Sequence, residues 1–194
     1  MTARPKTKRG AARRKKILEA AEAVIGRTGF ASSSIAAITQ EADTALGTFY
    51  IYFSSKEAVF RELLLEMGQL TRRALTDSIR EMPNRLEAER EGIRAFLEFV
   101  AARPSLYRIV EEARYIDPDA YRAYFSTFAA AYKQRLAAAT AAGEIRAGDP
   151  EIRAWALMGI AKTLGERYVL WEDNPDIDHV VDEAFRFIRH GLEP

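Results

Sequence analysis

The sequence predicts an all-α fold, and three observations carry that expectation. Ala, Leu, Glu, Arg and Ile dominate the 194 residues, and most of these are strong helix formers. Apolar residues return at intervals of three and four rather than two, the period of a helix face. The seven prolines, Pro5, Pro83, Pro104, Pro118, Pro150, Pro175 and Pro194, fall at breaks between the periodic stretches, where a missing N–H does least harm. The expected architecture is a small N-terminal three-helix domain joined by a long helix to a larger helical C-terminal domain.

The first helix is expected from about Ala11 to Arg27, with Ile17, Ala20, Ala21, Val24 and Ile25 on its apolar face. Gly29 ends it and Phe30 anchors the turn. The cluster Ser32-Ser33-Ser34 offers an N-cap for a short second helix with Ile35 and Ile38 inward. Ala42-Asp43-Thr44 makes a tight turn into a third, about Ala45 to Tyr52. Ser54 or Ser55 caps a fourth, and Ser54-x-x-Glu57 has capping-box spacing. That helix continues through Val59, Phe60, Leu63, Leu64 and Met67 towards Glu81. Longer amphipathic helices follow near 85–102, 104–115, 118–142, 149–172 and 176–190. Asp149 caps the helix whose first turn holds Pro150.

Composition excludes several function classes. There is no cysteine, hence no disulfide framework and no thiolate chemistry. The two histidines, His179 and His190, are eleven apart, which matches no helical metal pair, so no metal or cofactor is expected. No apolar run reaches the ~20 residues of a membrane span, and no apolar stretch follows the basic N-terminus as in a signal peptide. A cytoplasmic protein is expected. There is no glycine-rich phosphate loop and no nucleophile motif. The adjacent carboxylates of Glu111 and Glu112 would point apart on a helix. An enzyme is therefore not expected.

The net charge of +1 conceals an asymmetry. Residues 1–60 hold ten Lys/Arg against five Asp/Glu, and the remainder nineteen against twenty-three. Eight of the ten lie within residues 1–16, which contain no acid. A basic end on a mildly acidic body suits a face that meets a polyanion. Two short helices with a tight turn, braced by a first helix, make a helix-turn-helix. A helix fits the major groove of B-DNA, and the second helix of the pair reads base edges. Phe49 and Phe53, four apart, should pack inward, which leaves Leu46, Thr48, Tyr50 and Ile51 outward. Gly47 within a helix costs about 1 kcal/mol against alanine, and close approach of a phosphate is a physical reason to keep it.

The stretch Ile17-Leu18-Glu19-Ala20-Ala21, then Gly29-Phe30, Ser33-Ser34-Ile35-x-x-Ile38, and Gly47-Thr48-Phe49-Tyr50-x-Tyr52-Phe53-x-x-Lys56-Glu57 resembles the DNA-binding domain of the TetR/AcrR regulators. The likeness covers about residues 13–65, with several motifs in order. It implies a dimer, more often a repressor than an activator, and a ligand that lowers DNA affinity. It implies phosphate contacts from Ser33, Ser34, Tyr50 and Lys56, and base contacts from Thr44, Ala45, Leu46 and Thr48, with Gly47 close to the backbone and Ile51 a further candidate. Two departures stand out. The family's usual Gly-Val-Ser turn is Asp43-Thr44-Ala45 here, so the capping serine is missing at Ala45, a loss of roughly 1 kcal/mol unless Asp43 or Thr44 takes over. Ile51 stands where the family often has histidine. It can touch a thymine methyl but cannot hydrogen-bond a base.

The implied organisation is a basic arm at 1–12, a helix-turn-helix domain at 13–57, and a ligand-binding and dimerisation domain at 58–194. The two late helices, 149–172 and 176–190, are expected to build the dimer interface. There Gly159 and Gly165 permit close approach, and Val180, Val181, Ala184, Phe185 and Ile188 form an apolar stripe. The candidate ligand lining is Phe96, Phe99, Tyr107, Tyr124, Phe125 and Phe128, with Trp155 and Met158. Segments 104–113 and 154–160 are similar to regulators of aromatic or fatty acid degradation, which implies an acyl-CoA or aromatic effector. The competing reading is a helical ligand-sensing or protein-interaction module without specific DNA binding.

Overall fold

The computed structural model describes residues 7–193. Residues 1–6 of the expected basic arm lie outside the described residues. Nine α-helices run in order, with no strand among the described residues: α1 Lys8–Thr28, α2 Ile35–Glu41, α3 Leu46–Tyr52, α4 Lys56–Ser78, α5 Arg85–Ala102, α6 Pro104–Ile116, α7 Pro118–Ala141, α8 Pro150–Leu164 and α9 Ile177–Leu192. A π-helical segment, Gly165–Leu170, continues α8. No helix among the described residues is long and apolar enough to cross a membrane.

Local chemistry sets most boundaries. α1 begins three residues earlier than expected because Thr7 caps it, its Oγ1 accepting from the Gly10 N–H at 3.1 Å. It ends at Gly29, whose φ of +80° a side chain would resist. Ser34 is the N-cap of α2 and accepts from the Ala37 N–H. At α4 the cap is Ser55, whose Oγ accepts from the Ala58 N–H at 3.1 Å. The Ser54-x-x-Glu57 box is displaced by that neighbouring serine. Asn84 caps α5, and Asp149 caps α8 by accepting from the Glu151 and Ile152 N–H groups.

The helices form two compact units. Among the described residues, the first combines 7–68 with 104–124, and the second combines 69–103 with 125–193. In the first, Ile17, Ile25, Ile38, Phe49, Phe53, Phe60 and Ile109 are fully buried. Each such side chain contributes about 2–3 kcal/mol of hydrophobic stabilisation. α1 and α6 cross closely at Gly26, where a Cβ would sit 2.4 Å from that of Ser105. Arg61 of α4 pairs with Asp117 at 2.5 Å.

In the second unit, α5 packs on α9 and on the π-helical segment. A Cβ at Gly165 would lie 3.2 Å from the Phe96 ring, so this glycine permits the close approach of α5. The Arg85 guanidinium pairs with Glu89 at 2.6 Å, both buried, and the Tyr132 hydroxyl donates to the same carboxylate. Burial pushes the Glu89 carboxyl above the usual range, against the pull of Arg85 and Tyr132. The stripe expected to face a second subunit is partly core: Val180, Val181 and Ile188 are buried within the unit. The aliphatic and aromatic side chains that α8 and α9 leave outside are instead Ile152, Trp155 and Phe187.

Candidate nucleic-acid interface

α2 and α3 are each seven residues long, too short to persist alone. Packing holds them. Phe49 of α3 is fully buried, with the Phe53 ring 5.7 Å away, and the Arg14 guanidinium lies over Phe53 at 5.0 Å. Arg14 is itself tied to Glu62 at 2.8 Å. The turn between α2 and α3 places Asp43 at φ +46°, a left-handed conformation that asparagine and aspartate tolerate better than most residues. The Thr44 N–H donates to the Thr39 carbonyl. The N-cap of α3 is Ala45, with no side-chain cap, so neither Asp43 nor Thr44 takes over the missing serine's task.

The side chains expected at DNA fall into two groups. Leu46, Tyr50 and Ile51 stand outside, 51%, 53% and 67% exposed. Ala45 and Gly47 are also exposed, and Thr44 and Thr48 half-buried. A Cβ built on Gly47 would meet nothing within 4 Å, so no internal contact requires glycine there. Ser34 is exposed at the start of α2. Leu46, Gly47, Tyr50 and Ile51 share the outer side of α3, and Ser34 stands exposed at the start of α2.

Ser33 and Lys56 differ. Ser33 is buried, and its hydroxyl donates to the Phe30 carbonyl at 2.7 Å. The Lys56 ammonium donates to the Phe30 carbonyl at 2.6 Å and the Ser33 carbonyl at 2.8 Å, and lies 4.2 Å from the centre of the Phe30 ring. Both side chains therefore fix the turn between α1 and α2. Glu112 of α6 completes this anchorage by accepting from the Phe30 N–H at 2.7 Å. Its partner is 82 positions away, and no local pattern marks it.

Charge around the face is mixed. Lys8, Arg9 and Arg13 are exposed along the start of α1. Lys15 pairs with Glu19, and Lys16 lies 3.7 Å from Asp43. Glu57 is held below the usual carboxylate range, first by its own backbone N–H and then by the Ser55 hydroxyl.

Residues 17–63 match the model of the "Bacterial regulatory proteins, tetR family", a span that runs from the core of α1 through α2 and α3 into α4. Residues 17–63 thus carry the DNA-binding module of the TetR family. A relative in Bacillus subtilis (strain 168), the uncharacterized HTH-type transcriptional regulator YdgC, is 28% identical over 194 residues, covering 96% of this chain and 95% of its own. FadR from Bacillus subtilis, solved in complex with stearoyl-CoA, superposes with a TM-score of 0.79 at 21% identity, over 90% of this chain and 96% of that one. AibR, solved with isovaleryl coenzyme A and operator DNA, superposes with a TM-score of 0.73 at 17% identity, over 90% and 97%. At these identities the two structures establish the TetR-like fold. The relatives are transcriptional regulators rather than enzymes, in keeping with the absence of catalytic motifs from the sequence.

The expected ligand residues are divided between the units. Tyr107 and Tyr124 belong to the first, and Phe96, Phe99, Phe125, Phe128, Trp155 and Met158 to the second. Phe96, Phe99, Phe125, Phe128 and Met158 are half-buried, and Trp155 is exposed. Arg103 lies over Phe99 at 6.0 Å and Arg72 over Phe128 at 5.4 Å. Within the second unit an open groove of about 660 Å³ lies between α8 and α9, with Leu157, Ile160, Phe187 and Arg186 in its lining. None of the eight expected ligand residues lines it.

Proposed function

We propose that this TetR-family regulator is a homodimeric repressor that grips a palindromic operator with α3 and releases it when a small molecule binds the C-terminal domain. The observation that carries the reading is the outer face of α3: Leu46, Tyr50 and Ile51 stand in solvent on a helix whose inner face is anchored by Phe49. An exposed aliphatic pair on a short helix is costly to leave in water, and a major groove covers such a face. Ser34 and Tyr50 are the proposed phosphate contacts, and Thr44, Ala45, Leu46, Thr48 and Ile51 the proposed base contacts. Gly47 lets the backbone approach. Ser33 and Lys56 act by holding the turn in place. Regulation of genes places the protein in the cytoplasm.

Dimerisation is proposed through α8 and α9. Phe187, 74% exposed, together with Ile152 and Trp155, leaves an apolar surface that a symmetric partner would cover. The effector is proposed to be an acyl-CoA or an aromatic compound. Its support is the fold shared with FadR and AibR and the half-buried rings of α5 and α7, with Arg72 over Phe128 and Arg103 over Phe99.

Fluorescence anisotropy tests the DNA reading. The purified protein should prefer the DNA upstream of its own gene over random duplex, with affinity falling linearly on a log–log scale as salt rises. Equal affinity for both would overturn it. Thermal shift against acyl-CoA thioesters, free coenzyme A and aromatic acids tests the effector class. A rise in Tm with a thioester but not with free coenzyme A supports it, and no rise with any of the three overturns it.

A further inference from the structure

We propose that α3 reads thymine methyl groups, so that the half-site carries thymines beneath Leu46 and Ile51. This inference rests on α3 being the reading helix. Between Ala45 and Tyr52 there is no Arg, Lys, Asn, Gln, Asp or Glu. The side chains that discriminate bases by paired hydrogen bonds, guanidinium on guanine and amide on adenine, are therefore missing from this helix. The polar groups present are the hydroxyls of Thr48, Tyr50 and the half-buried Tyr52, with Thr44 in the preceding turn. A hydroxyl both donates and accepts, so it discriminates weakly. The charged neighbours of the turn are paired within the protein, Lys16 with Asp43 and Arg27 with Glu41.

What α3 does present is branched aliphatic surface. Leu46 and Ile51 are more than half exposed, one at the first turn and the other five residues on. They lie either side of Gly47, where there is open space for a Cβ and none to obstruct a close approach. The C5 methyl of thymine is the one apolar group on the major-groove edge of the four bases. Burying a methyl against an aliphatic side chain stabilises it by about 0.8 kcal/mol or somewhat more. Each methyl should thus be worth about four- to fifteen-fold in affinity.

The experiment starts from duplexes selected out of a random pool by the full-length protein. Each thymine of the selected half-site is then replaced singly by uracil, which removes only the methyl. We expect about a four- to fifteen-fold loss at two or more positions. A 5-methylcytosine–guanine pair at those positions should bind better than a cytosine–guanine pair. Leu46→Ala and Ile51→Ala, whose exposed side chains leave the Tm unchanged, should each abolish the uracil effect at one position. Uracil tolerated at every position, in a duplex where other base changes weaken binding, would overturn the proposal while leaving DNA recognition intact. Uracil effects that persist in both alanine variants would also overturn it. A pool that yields no enriched sequence removes the DNA-reading itself, and this inference with it.

Discussion

The Phe30 N–H donates to the Glu112 carboxylate at 2.7 Å, joining α6 to the turn between α1 and α2. The other side of the same residue is held by Lys56, which accepts nothing and donates to the Phe30 carbonyl. The turn that orients α2 is thus clamped from two helices distant in sequence. Glu112→Ala should cost about 1.5–3 kcal/mol in urea unfolding, the range for a hydrogen bond to a charged group. Glu112→Gln keeps an acceptor oxygen and should cost less. Equal losses would show that the contact depends on the carboxylate charge rather than on an acceptor oxygen alone.

The turn before α3 carries two local penalties. Asp43 is left-handed at φ +46°, and Ala45 gives α3 no side-chain cap. Ala45→Ser should raise stability by about 1 kcal/mol. Asp43→Gly should raise it by roughly 0.5–1 kcal/mol, relief of the left-handed strain exceeding the added freedom of the unfolded chain. Thermal denaturation of both variants checks the pair. A lower Tm for Ala45→Ser would mean that α3 is capped by something other than its own side chains.

Gly47 sets stability against function. Nothing in the protein lies within 4 Å of its missing Cβ, so Gly47→Ala should stabilise the free protein by about 0.5–1 kcal/mol. If the backbone there meets DNA, the same methyl should weaken binding at least tenfold. Calorimetry and anisotropy on one preparation read both effects.

The buried Arg85–Glu89–Tyr132 group should respond asymmetrically. Arg85→Met leaves the Glu89 carboxylate in a buried site without its ion partner and should cost about 3–5 kcal/mol. Adding Glu89→Leu to that variant should recover much of the loss, because the uncompensated charge is gone. A double variant no more stable than the single one would point to Tyr132 as the dominant partner.

The helices were legible because their signals are local. Gly29, Ser34, Asp149 and the prolines mark ends within a few residues of the groups they satisfy, and the three-and-four spacing of Ile17, Ala21 and Val24 needs no partner to be recognised. The clamp was not legible. Glu112 looked like half of an idle carboxylate pair, since its partner lies 82 residues away. Ser33 and Lys56 were expected at phosphate from the likeness to the TetR/AcrR regulators, and here their donors reach carbonyls inside the protein, which no local pattern announces. The outward side of α9 was misplaced for a related reason. Val180, Val181 and Ile188 form an apolar stripe whichever surface covers it, and only the packed unit distinguishes them from Phe187.

The outer face of α3 is the surface proposed to meet DNA. The chain has no cysteine, so Ile51→Cys creates a single reactive thiol at an exposed position. Maleimide labelling of that thiol should slow at least tenfold when a selected duplex is added, while a Trp171→Cys control, equally exposed in the other unit, labels at an unchanged rate. Binding of the duplex with undiminished labelling at position 51 would contradict the account.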